Sequence, residues 1–346
     1  MNPAQAPARA PTIMFIGEHD PSPGPSSPRS FPGMTATTTL PELERTAPAA
    51  RRPALSYELF PARSDLSFDR LRTTISHLEA TGPDYVSVTS RAGHGNLARV
   101  LELTEHVLAE TALRPLVHLT SIGSTRAQLT AIIHALLDRG VRGLLALRGD
   151  QMPGHSLEGD EIPFARPLIE LIREVERERT AVLAGGRLSV GVAAYPHRHP
   201  ESPTTRHDTE VLVAKERAGA DFAITQVFFE ASSYCALLER ARAAGVRMPI
   251  VPGFVPATDP RRLVRLAELS GVGAPRRLLH DLETAADDAD RRRIGVRFTV
   301  DLATRVLDAG APGLHLFTFN SHAEALDVLD ALNLDRWSTT PQGDPR

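Results

Sequence analysis

Eight short apolar runs of strand length, each followed by a stretch of helical periodicity, fill the chain from about residue 54 to residue 333. This alternation constrains the fold more than any other feature. Strands that are apolar on both faces and separated by helices pair in parallel, because a parallel neighbour needs a crossover connection. The strands are read at Ala54–Pro61, Tyr85–Ser90, Arg114–Ser121, Gly143–Gly149, Leu188–Pro196, Phe222–Phe229, Pro249–Pro256 and Gly313–Asn320. Helices are read between them at Phe68–Ala80, Leu97–Ala112, Pro167–Arg177, Thr209–Ala218, Ser233–Ala244, Arg261–Leu269 and, last, Ala323–Leu332. The third helix shows Leu129, Ile132, Ile133, Leu136 and Leu137 on one stripe and ends at Gly140. A purely helical insert, Arg276–Ala309, precedes the last strand. Eight such units over about 280 residues predict an α/β fold, a closed (β/α)8 TIM barrel. An open doubly wound sheet is the alternative, but it prefers a glycine-rich turn after its first strand. Here that turn reads Phe60-Pro61-Ala62-Arg63, and the one glycine pair elsewhere, Gly271-Val272-Gly273, follows a helix.

The flanks differ in texture. Residues 1–50 hold ten of the 28 prolines and are read as a disordered tail, with Met34 as a second candidate start. Residues 51–337 form the barrel domain, and 338–346 are read as a disordered C-terminus. Allosteric control through an appended regulatory domain is not expected. The formal net charge of −3 argues against a nucleic-acid partner. The single cysteine, Cys235, excludes an internal disulfide. No apolar run approaches a membrane span, and Ile13–Ile16 is too short for a signal peptide. A cytoplasmic protein is expected.

In a closed barrel, chemistry sits at the C-terminal ends of the strands. Glu58 is the sharpest candidate there. Alternation puts Ser56, Glu58 and Phe60 on one face. A carboxylate buried on that face either pairs with a buried cation or is held protonated, and a protonated Glu near neutrality is a general acid. Arg148-Gly149-Asp150 ends the fourth strand, where Gly149 allows close approach of a ligand and Asp150 is placed to orient a substrate or cap a loop. Gln226, mid-strand, needs a partner for its amide, either the backbone or a heterocycle with an amide edge. His197 and His199 have spacing compatible with a metal, yet Arg198 lies between them and no further ligand cluster accompanies them, so no metal site is assigned. Of the 39 basic residues only Lys215 is a lysine, which suggests a contact to a phosphate or ribose, or else chance survival.

At these residues the chain resembles the methylenetetrahydrofolate reductases of the bacterial, flavin-dependent type. The resemblance runs over about residues 54–333 and is carried by nine motifs in order. They are Ser56-Tyr57-Glu58-Leu59-Phe60-Pro61, Val86-Ser87-Val88-Thr89, His118-Leu119-Thr120, Leu147-Arg148-Gly149-Asp150, Ala193-Ala194-Tyr195-Pro196 with His199-Pro200, Ala218-Gly219-Ala220-Asp221, Ile224-Thr225-Gln226-Val227-Phe228-Phe229, Pro252-Gly253, and His315 to Asn320. The resemblance implies a barrel that binds FAD and uses NADH or NADPH to reduce 5,10-methylenetetrahydrofolate to 5-methyltetrahydrofolate. It also implies a homo-oligomer. By position, Glu58 matches the general acid, Asp150 the carboxylate near pterin and flavin, and Gln226 the amide that contacts folate or nicotinamide. Thr89, His118, Arg148, Gly149, Asp150, Ala165, Tyr195, His199, Asp208 and Lys215 match flavin contacts. At further positions this chain differs in residue type: Ser90, Phe164, Val211 and Ala214 on the flavin side, and Arg262 and Ser321 among the folate contacts. Two other readings stand beside this one, a metal-dependent barrel hydrolase using His197 and His199, and a non-catalytic relative that binds flavin or folate.

Overall fold

The computed structural model describes residues 52–90, 96–149, 161–184 and 186–337. Asp150 and both flanking segments lie outside the described residues. Among the described residues, nine strands and ten α-helices follow in the order β1 Ala54–Leu59, α1 Asp65–Glu79, β2 Tyr85–Val88, α2 Leu97–Glu110, β3 Pro115–Thr120, α3 Arg126–Asp138, β4 Gly143–Leu147, α4 Ala165–Glu178, β5 Ser189–Ala194, α5 Thr205–Ala218, β6 Phe222–Thr225, α6 Ala231–Ala243, β7 Ile250–Val251, β8 Gly253–Phe254, α7 Pro260–Ser270, α8 Arg276–Glu283, α9 Asp288–Asp308, β9 Gly313–Phe317 and α10 Ala323–Leu332. All strand pairs are parallel, in the order β7-β6-β5-β4-β3-β2-β1-β9-β8.

The seventh strand, read as one run over Pro249–Pro256, is two short pieces. Pro252 between them has no N–H to donate to a ladder. β7 pairs with β6 and β8 with β9, so the two halves close the ring. The His315 N–H donates to the Pro252 carbonyl at 3.0 Å and bridges the break. Eight barrel positions therefore appear as nine strands.

Alternate residues of each strand divide between two apolar clusters. Tyr57, Leu59, Val86, Val88, Leu144, Ala146, Val190 and Val192 pack outward against the helices. Leu116, Leu145, Leu147, Ala193, Ile224 and Phe317 fill the barrel. Glu58, between Tyr57 and Leu59, therefore faces inward. Apolar residues of α7 and α8 (Leu263, Leu266, Leu278 and Leu282) join the inner cluster with Val255, Ala257 and Phe229, so the helical insert covers one side of the mouth.

Inside the ring, backbones pass closely. A Cβ on Gly253 would lie 2.4 Å from the Thr225 carbonyl oxygen and 2.7 Å from Cε2 of Phe317. Gly253→Ala is therefore expected to lower stability by about 1–3 kcal/mol, the usual cost of overpacking a core. The midpoint of urea unfolding measures it.

Candidate active site

The C-terminal ends of the strands gather the polar residues named from sequence. Glu58 is fully buried near the end of β1, where it pairs in register with Ser87 of β2 and Phe317 of β9. Neither carboxyl oxygen has a hydrogen-bond partner among the described residues. His118 Nε2 on β3 lies 3.7 Å from Oε2 of Glu58. That is a contact between two neutral groups. Burial pushes Glu58 up to about 8 and His118 down to about 3, so at pH 7 the acid holds its proton and the imidazole does not. Ser87 Oγ, His118 Nε2 and Thr120 Oγ1 are likewise buried without a protein partner among the described residues. Four residues on three adjacent strands thus leave polar atoms directed at one inner space. One layer below, Ser56 Oγ contacts His315 Nδ1 at 2.8 Å, and burial holds His315 down to about 3.

The strand end that carries Glu58 is tied on both sides. Thr89 Oγ1 donates to the Leu59 carbonyl at 2.8 Å, and Thr318 Oγ1 donates to the Glu58 carbonyl at 2.8 Å. Asn320 accepts from the Phe60 N–H and donates to the Phe60 carbonyl, both at 2.8 Å. Phe319 and Asn320 are held at φ of 53° and 59°, a left-handed conformation costly for a bulky residue. That turn places the Phe319 ring on Phe60, with centroids 6.0 Å apart, and the Arg262 guanidinium 4.4 Å above Phe319. Arg262 therefore belongs to a stack at the mouth. Ser321 Oγ instead donates to Glu324.

A second group forms where β4 and β5 end. The buried Arg148 donates to Glu201 Oε2 at 2.8 Å. Gly149 turns at φ 92°, which favours glycine. The His199 N–H donates to Asp208 Oδ2 at 3.1 Å, and its ring meets Tyr195 edge-on at 4.7 Å. Lys215, 2% exposed, donates from Nζ to the Ala193 carbonyl at 2.9 Å. Asp208, Tyr195 and Lys215 line one cleft with Val211. Gln226 is buried; its N–H donates to the Ala194 carbonyl and its Oε1 accepts from the Val227 N–H, each at 2.8 Å. Phe164 stands at the N-cap of α4 and Ala165 is buried behind it.

Among the described residues no three His, Cys, Asp or Glu side chains stand close enough to hold a metal ion. His199 Nδ1 accepts from the Glu201 N–H at 3.1 Å. No helix of the described residues is long and apolar enough to cross a membrane. Two residues of the site were not singled out in the sequence. Ser87 alternates with Thr89 on one strand face, and that spacing was its signal. Glu201 carried no signal, because its partner lies 53 residues away.

Comparison with known proteins agrees with this geometry. The family model described as methylenetetrahydrofolate reductase matches residues 43–333. The 5,10-methylenetetrahydrofolate reductase of Escherichia coli is 31% identical over 267 residues, covering 77% of this chain and 86% of that protein. A probable methylenetetrahydrofolate reductase (NADPH) of Caenorhabditis elegans is 31% identical over 286 residues, and the chain spans only 42% of its length. An uncharacterized protein from Clostridium thermocellum that binds two copies of 5-methyl-5,6,7,8-tetrahydrofolic acid shares the fold, with a TM-score of 0.54 at 12% identity over 83% of this chain and 96% of that one. With its barrel, its buried acid and these matches, the chain belongs to the methylenetetrahydrofolate reductase family.

Proposed function

We propose that the protein is an FAD-dependent reductase that converts 5,10-methylenetetrahydrofolate to 5-methyltetrahydrofolate with NADH or NADPH as electron donor, in the cytoplasm. The observation that carries this reading is Glu58, a carboxyl buried at the barrel mouth and protonated at neutral pH. Opening the five-membered ring of the substrate makes an amine nitrogen a leaving group, and that nitrogen leaves poorly unless protonated. Glu58 supplies the proton. The unpartnered polar atoms of Ser87, His118 and Thr120 suit a flat heterocycle with a polar edge. Arg148, Lys215, His199 and Tyr195 suit the phosphates and sugar of a dinucleotide. These residues would hold FAD, which would supply hydride carriage between the reduced nicotinamide and the folate carbon. Gln226 and the exposed side of the Arg262–Phe319–Phe60 stack are assigned to the substrate. A guanidinium over an aromatic ring suits the benzoyl ring and carboxylates of a folate tail.

The test is the absorption spectrum of the purified protein, followed under anaerobic conditions. Flavin bands that bleach with NADH or NADPH and return with methylenetetrahydrofolate support the reading. Protein that neither retains nor takes up flavin and reduces no folate rejects it.

A further inference from the structure

The cationic corner of the site already contains an anion from the protein itself. The Arg148 side chain is 3% exposed, and among the described residues its carboxylate partner is Glu201, at 2.8 Å. A further bond, Nε to the Gly149 carbonyl, is long at 3.4 Å. Glu201 is different in kind. Its side chain is 43% exposed, and it lies in the segment between β5 and α5. The carboxylate itself can therefore turn out to water, whereas the guanidinium cannot follow it and needs another anion in its place.

Four charged side chains act on the His199 ring: Glu201 and Asp208 of one sign, Arg148 and Lys215 of the other. Asp208 is fixed by the His199 N–H, and Lys215 is buried against the Ala193 carbonyl. Among the described residues the corner is thus formally neutral, two positive charges against two negative. A diphosphate gains little from a neutral corner. With Glu201 turned out, the corner carries a net positive charge and a free guanidinium fork, which matches phosphate oxygens in a bidentate manner.

We propose that Glu201 is a resident placeholder in the diphosphate seat, and that a flavin dinucleotide loads by displacing this carboxylate from Arg148. The proposal rests on the flavin reading given above. In the unloaded protein the carboxylate spares Arg148 the cost of an uncompensated buried charge. In the loaded protein the diphosphate takes over that duty. Glu201 thereby trades affinity for stability of the empty barrel.

Titration calorimetry on the full chain freed of flavin tests this, with FAD and ADP as separate probes and a thermal melt of each variant. Glu201→Gln is expected to tighten both probes by roughly two- to fivefold, the scale of a half-exposed ion pair, while lowering the melting temperature of the empty protein. In Arg148→Gln the same change at Glu201 should bring no gain, because nothing is left to release. A Glu201 variant that melts lower and binds either probe no better, or worse, overturns the proposal, since a merely structural carboxylate does that. If ADP tightens but the wild-type chain takes no FAD, the diphosphate seat stands and the flavin reading fails. If neither probe binds, both fail.

Discussion

Glu58→Gln is expected to leave flavin reduction by nicotinamide near its normal rate and to slow reoxidation by methylenetetrahydrofolate at least about a hundredfold, on the scale of general acid assistance. Glutamine keeps the size and the hydrogen-bonding groups of the buried acid but has no proton to give. Stopped-flow absorbance resolves the two steps. Equal losses in both would mean that Glu58 holds the site together instead of donating a proton. In the unaltered protein the folate step should also decline as pH rises through about 8, where Glu58 ionises. The same variant has a second signature in stability. An unfolded Glu ionises near 4.5, whereas the buried one holds its proton to about 8. Between those values folding takes up a proton, so stability falls as pH rises. The glutamine, which does not titrate, removes that slope. The variant should therefore melt higher than wild type at pH 8, with little difference at pH 4.

Lys215→Ala is expected to weaken FAD binding by roughly tenfold to a hundredfold, the range of a hydrogen bond to a charged group. The structure adds a cost that composition alone does not show. Nζ also satisfies the carbonyl of Ala193, so the alanine leaves a buried acceptor unpaired and the melting temperature should fall with the affinity. Lys215→Arg keeps the charge and should fall between the two, since a planar fork does not fit a seat 2% exposed without shifting its neighbours. Unchanged flavin affinity in both variants would remove Lys215 from the cofactor site.

The barrel was legible because its signals are local. Period-2 alternation put Glu58 on one face with Ser56 and Phe60, and the structure turns that face inward and buries Glu58 there. The helical insert before the last strand was legible as helical text over Arg276–Ala309, which the structure divides into α8 and α9. Helix starts were less so. α1 begins at Asp65, ahead of the expected Phe68, because Ser64 and Ser67 form a capping box whose polar residues break the apolar pattern. α5 begins at Thr205, ahead of the expected Thr209, under the Thr204 cap. The break at Pro252 was hidden inside an apolar run. What sequence withholds most is pairing at a distance. Arg262 was named as a substrate contact, but its place over Phe319 depends on a left-handed turn that no propensity announces. The Arg148–Glu201 pair joins the segments after β4 and β5, which lie far apart in sequence and are brought together by the pairing of those strands.

The interruption at Pro252 also gives the barrel an uneven stiffness. β7 pairs with β6 over two residues and β8 with β9 over two, against five between β3 and β4. The free energy needed to open a segment locally falls with the number of ladder bonds that must break. Glu58 sits on the other kind of strand, held over four residues by β2 and five by β9. The shortest ladders of the ring therefore lie on either side of Pro252. On the proposed function, a two-ring substrate and a dinucleotide would both need room to pass at the mouth, and the short ladders beside Pro252 would offer it without shifting Glu58.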